Sequence, residues 1–129
     1  MDLIYIIKAL AHENRLRILN LLKEKTLCVC ELRNIMEINQ SNASRHLRKL
    51  KNAGLIKNSK DAQWVYYQLN HKQLKKHPFI ELMIKEEFEN NDLFAEDNRK
   101  LKLYNQSQVS CENLDDSDIF NQVNVSLKE

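Results

Sequence analysis

Apolar residues recur at helical spacing from the start of the chain. Leu3, Ile6, Ile7 and Leu10 form one stripe. Leu16, Ile18, Leu19, Leu21 and Leu22 form a second, denser one, and a polar break follows at Lys23-Glu24-Lys25-Thr26. A third helix is predicted over about 29–37, with Leu32, Ile35 and Met36 facing inward. Asn39 suits the N-cap of a fourth helix, whose buried stripe is Ala43, Leu47 and Leu50. Gly54 stands where a helix end calls for a left-handed residue. The pattern then changes. Leu55–Asn58 and Trp64–Leu69 are rich in strand formers, and the polar residues 59–63 between them read as a hairpin or wing. Pro78 opens a fifth helix carrying Phe79, Leu82, Met83, Ile84 and Phe88. Leu93, Phe94, Leu101 and Tyr104 suggest a sixth. Residues 105–129 are polar and acidic without sustained period, and much of that stretch is expected to be mobile.

The predicted fold class is mainly α with a small β-hairpin, a winged helix-turn-helix. Residues 1–90 are expected to form one folded domain, and residues 91–129 an acidic extension, partly helical and then flexible. With one Gly and one Pro in 129 residues, sharp turns are few. The net charge of +2 hides a split. Residues 1–85 hold 16 basic and 7 acidic side chains, whereas 86–129 hold 4 and 11. This asymmetry points to a body that binds a polyanion and an acidic tail. No stretch approaches the roughly 20 apolar residues that span a bilayer. The opening Leu3–Ile7 run is too short for a signal peptide, so a cytoplasmic protein is expected, without membrane partners. Three cysteines fit no simple disulfide framework and favour metal or redox chemistry in a reducing compartment.

From Ile38 to Lys60 there is no acidic residue. At about 100° per residue, the side of the fourth helix opposite Ala43, Leu47 and Leu50 presents Ser41, Asn42, Arg45, Arg48 and Lys49, with His46 on the flank. Ser, Asn and Arg read base edges, while Arg and Lys neutralise phosphates. The candidate DNA contacts are therefore Gln40, Ser41, Asn42, Ser44, Arg45, His46, Arg48 and Lys49, joined by Lys57, Lys60 and Gln63 from the wing. A merely solvated basic face is the alternative. Trp64, Tyr66 and Tyr67 read as core and strand-pairing residues.

Four motifs occur together: Ala-Leu-Ala-His-Glu-Asn-Arg-Leu-Arg-Ile-Leu (9–19), Leu-Cys-Val-Cys-Glu-Leu (27–32), Ser-Arg-His-Leu (44–47), and Gly-Leu-Ile (54–56) followed by Trp-Val-Tyr-Tyr-Gln-Leu (64–69). In combination they resemble the ArsR/SmtB family of bacterial metal-sensing winged-helix repressors, over roughly residues 3–90. The resemblance implies a homodimer built through the first and fifth helices. It implies binding to an inverted repeat in operator DNA, release by an inducer, and no catalysis. A two-fold dimer also suits the geometry, since one recognition helix covers only a few base pairs.

Cys28 and Cys30 match the thiol pair of the family's arsenic and cadmium/lead sensors. On a regular helix, residues i and i+2 point about 200° apart, so the pair can grip one ion only if the start of the third helix is unwound. Soft thiolates favour thiophilic ions; two buried structural cysteines are the alternative. The resembled arsenic sensors carry a third Cys where this chain has Arg33, and the resembled cadmium/lead sensors use cysteines of an N-terminal extension. The remaining thiol is Cys111. A mobile tail would bring it to Cys28 and Cys30, completing a three-sulfur site suited to As(III), or Sb(III), as inducer. Cadmium or lead sensing, and thiol-redox sensing with Cys111 resolving, are the rival readings. A second sensor type in the family uses His and carboxylates of the fifth helix. Here His71, His77, Glu81, Glu86, Glu87 and Glu89 read instead as a solvated face, and His12 as a capping or structural residue.

Overall fold

The structure, a computed structural model, describes residues 2–107, 109–111, 113 and 114. Helices α1 (Leu3–Leu10), α2 (Glu13–Leu22), α3 (Val29–Met36) and α4 (Gln40–Asn52) follow the apolar stripes. His12 does cap α2, its Nδ1 accepting from the Asn14 N–H at 3.1 Å. Asn39 caps α4 in the same manner, its Oδ1 accepting from the Asn42 N–H at 2.8 Å. Gly54 adopts φ 78°. Its N–H reaches the Lys51 carbonyl at 2.9 Å while the Leu55 N–H reaches Leu50 at 3.1 Å, the paired closure that ends a helix through a left-handed residue.

Strands β2 (Ile56–Asp61) and β3 (Trp64–Leu69) form an antiparallel hairpin, in register from Ile56 opposite Leu69 to Asp61 opposite Trp64. The polar stretch 59–63 forms the outer part of this hairpin, as its composition suggests. Cross-strand pairing of Ser59 with Tyr66 and Lys60 with Val65 carries the ladder outward, leaving Ala62 and Gln63 as the turn. A third strand joins them. The two-residue β1 (Leu27–Cys28) pairs with Tyr67 and Tyr66, so the sheet order is β1-β3-β2. This pairing fixes the chain entering α3 in an extended conformation.

After β3 comes a short helix, α5 (His71–Leu74), that the periodicity does not reveal. Next are α6 (Pro78–Leu82), prolonged by a wider π-turn (Met83–Glu87), a 3₁₀ turn (Asp92–Phe94) and α7 (Ala95–Gln106). One core unites these elements: Ile18, Leu21, Leu32, Ile35, Leu47 and Leu50 are fully buried, and Phe94 and Leu101 of the extension join them. Truncating such a leucine to alanine costs about 2–5 kcal/mol. The apolar residues left exposed are concentrated on two helices, Leu3, Ile4, Tyr5 and Ile7 on α1 and Phe79 and Leu82 on α6. Among the described residues no helix is long and apolar enough to cross a membrane.

Candidate DNA-reading surface and thiol site

Helix α4 buries Ala43, Leu47 and Leu50 and turns Gln40, Ser41, Arg45, Arg48 and Lys49 to solvent, with Asn42 and Ser44 half-buried. An open hollow of about 730 Å³ runs along this face, lined by Gln40, Ser41, Asn42, Ser44, Arg45 and Arg48. Arg45 donates to Asn42 Oδ1, which holds two hydrogen-bonding side chains side by side. The wing residues Lys57, Lys60 and Gln63 are all exposed.

His46 departs from this set. It was expected at the flank, yet its ring is buried against α2, its centroid 4.3 Å from that of His12 and its Nδ1 3.4 Å from Arg15 Nη1. Arg15 is itself buried, donating from Nε to the Ala9 carbonyl at 2.6 Å and from Nη2 to the Lys8 carbonyl at 3.2 Å. Burial, then the neighbouring His12, Arg15, Arg45 and Lys49, pull the His46 pKa down to about 4. The ring packs between α2 and α4, at the edge of a hollow that Asn42, Arg45 and Lys49 also line.

The thiols lie at the other end of the helix-turn-helix. Cys28 is the N-cap of α3, with φ −90° and ψ 171°, so the backbone is extended at Cys28 while Val29 and Cys30 already belong to the helix. Cys30 follows in the first turn and is half-buried. Cys28 and Cys111, 83 residues apart, are joined as a disulfide with Cα atoms 7.4 Å apart, wider than the usual span of such a bond. Cys30 Sγ lies 3.9 Å from the Cys111 carbonyl oxygen and 3.6 Å from Asn34 Nδ2. All three cysteines thus gather at the start of α3. The tail around Cys111, expected to be mobile, is packed as far as it is described: Cys111 and Leu114 are buried. The expectation for residues 115–129 lies outside the described residues.

What delivers Cys111 is α7. Asp97 forms a two-pronged ion pair with Arg17 of α2 at 2.7 and 2.9 Å. The carboxylate raises the Arg17 pKa further. Asn98 accepts from Asn20 Nδ2 at 2.8 Å. Lys100 meets Glu37, the left-handed residue (φ 56°) in the turn between α3 and α4, at 3.1 Å. At the far end Tyr104 donates to Glu31 Oε2, and burial first, then that carboxylate, push the phenol pKa up.

Glu31 was not singled out in the sequence. It sits at the third position of α3, and its Oε1 accepts from the Cys28 N–H at 2.9 Å, so it caps the helix from below while Cys28 caps it from above. The signal was present as Cys-x-x-Glu, a capping box with sulfur in place of the usual hydroxyl. Cys28, Glu31 and Cys111 are all buried, with one ligand atom from each lying within 4.8 Å of the others. Arg33, where the resembled arsenic sensors have a thiol, is half-buried and lines a hollow of about 280 Å³ with Cys28, Cys30, Gln40 and Trp64. Of the α6-side candidates, Glu81 pairs with Lys85 at 3.2 Å and His77 packs edge-on to Phe79.

Residues 12–58, which span α2, the thiol pair and α4, match the model of "Bacterial regulatory protein, arsR family". The transcriptional activator HlyU of Vibrio cholerae is 40% identical over 80 residues, covering 62% of this chain and 72% of that one. Its solved structure superposes with a TM-score of 0.56 at 39% identity, over 64% of this chain and 87% of the other. The chain belongs to the arsR family. Two further relatives are each 42% identical. One is the cadmium resistance regulator CadC homolog of Staphylococcus aureus, matched over 58% of this chain and 63% of that protein. The other is the arsenic resistance regulator ArsR1 of Pseudomonas putida, over 50% and 52%. The match therefore spans between half and two thirds of these two arsR-family regulators. A homodimeric winged helix-turn-helix DNA-binding domain from Mycobacterium bovis also shares the fold (26% identity, TM-score 0.55, 68% of this chain and 82% of that one). The arsR-family fold is thus a winged helix-turn-helix here, mainly α with a small antiparallel sheet.

Proposed function

We propose that this arsR-family chain is a cytoplasmic transcriptional repressor that binds an inverted-repeat operator as a homodimer. Its inducer is As(III), or the chemically similar Sb(III), held by Cys28, Cys30 and Cys111. The observation that carries this reading is the convergence of the tail thiol on the pair at the start of α3. In the reduced protein, arsenous acid would exchange its three hydroxyls for the sulfurs of three thiols, whose protons leave with the hydroxyls as three waters. Cys28 caps α3 and Cys30 lies in its first turn, and α3 packs directly on α4, so free energy spent on reshaping the start of α3 acts against the DNA-competent position of α4. The exposed face of α4 and the wing supply base contacts and phosphate contacts, respectively. The bare apolar residues of α1 and α6 suit a two-fold interface.

Operator binding by the reduced protein, followed by fluorescence anisotropy during arsenite titration, tests the assignment. Cys28→Ser, Cys30→Ser and Cys111→Ser should each bind operator normally and resist release, and arsenic X-ray absorption should count three sulfur neighbours. Full arsenite response in Cys111→Ser would remove the tail from the site. A redox reading is favoured by one observation, the Cys28–Cys111 disulfide. It predicts release by peroxide or polysulfide and indifference to arsenite.

A further inference from the structure

We propose that the hollow between the start of α2 and the flank of α4 is a phosphate clamp, which seats a DNA backbone phosphate beside the groove that α4 reads. The proposal rests on the operator-binding reading and deepens it, naming a backbone contact from α2 that the outer face of α4 does not supply. Helical spacing sets the flank: Asn42, Arg45, His46 and Lys49 recur at i, i+3, i+4 and i+7 along one side of α4. His12, Asn14 and Arg15 stand opposite them at the start of α2, and the two sets line a hollow of about 330 Å³. None of these side chains is acidic. The neighbouring acid in the chain, Glu13, is exposed and outside the lining.

The hydrogen bonds decide what each lining group can offer. His12 Nδ1 accepts from the Asn14 N–H at 3.1 Å. His46 Nδ1 lies 3.4 Å from Arg15 Nη1, and a guanidinium only donates. An accepting ring nitrogen holds no proton, so each imidazole carries its hydrogen on Nε2. Neither Nε2 has a protein acceptor among the described residues. The two amide oxygens are also taken, Asn42 Oδ1 by Arg45 and Asn14 Oδ1 by Arg17. Arg15 is held in place by the Ala9 and Lys8 carbonyls. The hollow is thus bordered by N–H donors and cations whose acceptor partners are already spent. Burial lowers the His46 pKa first, and the surrounding His12, Arg15, Arg45 and Lys49 lower it further; the same positive surroundings attract an anion. The guest that fits a donor-only hollow is an oxyanion.

Position selects the phosphate of a duplex. Asn42 and Arg45 also line the larger hollow along the outward face of α4, so the clamp is continuous with the reading surface. A helix in a major groove shows its outer face to base edges and its flanks to the two backbones. With α2 standing beside it, this flank is closed to bases and open to the strand at the rim of the groove. The clamp therefore fixes the register of α4 on the duplex and carries no base preference of its own.

The test uses the full reduced chain and its own promoter duplex, with single phosphates in each half-site replaced by neutral methylphosphonate. At one backbone position beside the contacted groove, wild-type affinity should fall by about 3- to 10-fold per half-site, the span of one lost hydrogen bond. His12→Asn keeps an N-cap oxygen for the Asn14 N–H and removes the Nε2 donor. It should weaken binding by a similar factor with an unchanged slope against salt, because a neutral ring releases no counterion. On the duplex substituted at that one position, His12→Asn should bind as the wild type does. Lys49→Gln should instead flatten the salt slope by about one per protomer. A His12 that only caps α2 would carry its loss onto every substituted duplex; that result, or no loss at all, overturns the clamp. Inorganic phosphate at constant ionic strength should leave the histidine ring NMR signals of the DNA-free protein in place. Saturation at millimolar phosphate would make the free anion the ligand and also overturn the proposal. A wild-type chain that binds no promoter DNA overturns the operator reading itself, a separate failure.

Discussion

Helices α4 and α7 both pack near α3, and they do so by opposite means. α4 docks through Ala43, Leu47 and Leu50 and keeps its polar groups outside. α7 turns polar groups inward as well as apolar ones: Asp97 and Lys100 are buried, and its ties to the body are an ion pair to Arg17, an amide pair to Asn20, a lysine on Glu37 and a phenol on Glu31. Apolar docking suits an element whose outer surface must stay available to a polyanion. Polar docking makes attachment conditional, because each buried polar contact is worth little net and costs much when half of it is removed. The difference leaves the outer face of α4 free of structural duties and makes the seating of α7 depend on paired polar contacts.

The comparison is broken most severely at Asp97. Asp97→Ala removes the carboxylate paired with a partly buried guanidinium, which keeps its bonds to Asn14 Oδ1 and the Met36 carbonyl, and should cost about 2–3 kcal/mol in a denaturant titration. It should also slow Cys28–Cys111 disulfide formation, since α7 would no longer hold the tail in place. A loss under about 0.5 kcal/mol would show that the extension's polar ties are ornamental. Next comes acid. His46 titrates near 4 in the folded chain and near 6.5 when unfolded, so the unfolded state binds the extra proton between those values. Stability is therefore complete above about pH 6.5 and falls as the pH drops toward 4, by an amount on the order of 2 kcal/mol. His46→Gln should flatten that part of the curve; an unchanged slope would place the acid sensitivity elsewhere. A smaller effect, on binding alone, is expected at the outer face of α4. Arg45→Ala should weaken operator binding by about 1.5 kcal/mol, leave arsenite affinity alone, and change thermal stability by less than about 0.5 kcal/mol. Smallest is Tyr104→Phe, which should lower stability by about 1 kcal/mol while operator affinity holds.

The two helices also differ in how legible they are in the sequence. α4 announces itself through Asn39, the 43-47-50 stripe and Gly54, each a local signal with a local cause. α7 is only half visible, because Asp97 and Lys100 face inward and blur the apolar period that a helix normally shows. Their burial is decided by Arg17 and Glu37, which lie far away along the chain. The strand β1 is invisible for a related reason. Two residues carry no period, and only pairing with Tyr66 and Tyr67 makes Leu27 and Cys28 a strand. His46 misleads because a helical wheel assigns it to a flank, and the flank is occupied by α2. At the thiol site the cysteines are plain from their spacing, and the need for an unwound backbone at Cys28 follows from geometry alone. Glu31 escapes notice because a carboxylate in the first turn of a helix is ordinary, and its importance depends on Tyr104 and Cys111 arriving from elsewhere.

The 83-residue interval between Cys28 and Cys111 has a genetic corollary. The segment that carries Cys28 and α4 is translated long before Cys111 leaves the ribosome. On the proposed reading, a stop codon just after Gln106 would keep α7 and its ties to the body and yield a protein that holds operator but no longer answers arsenite.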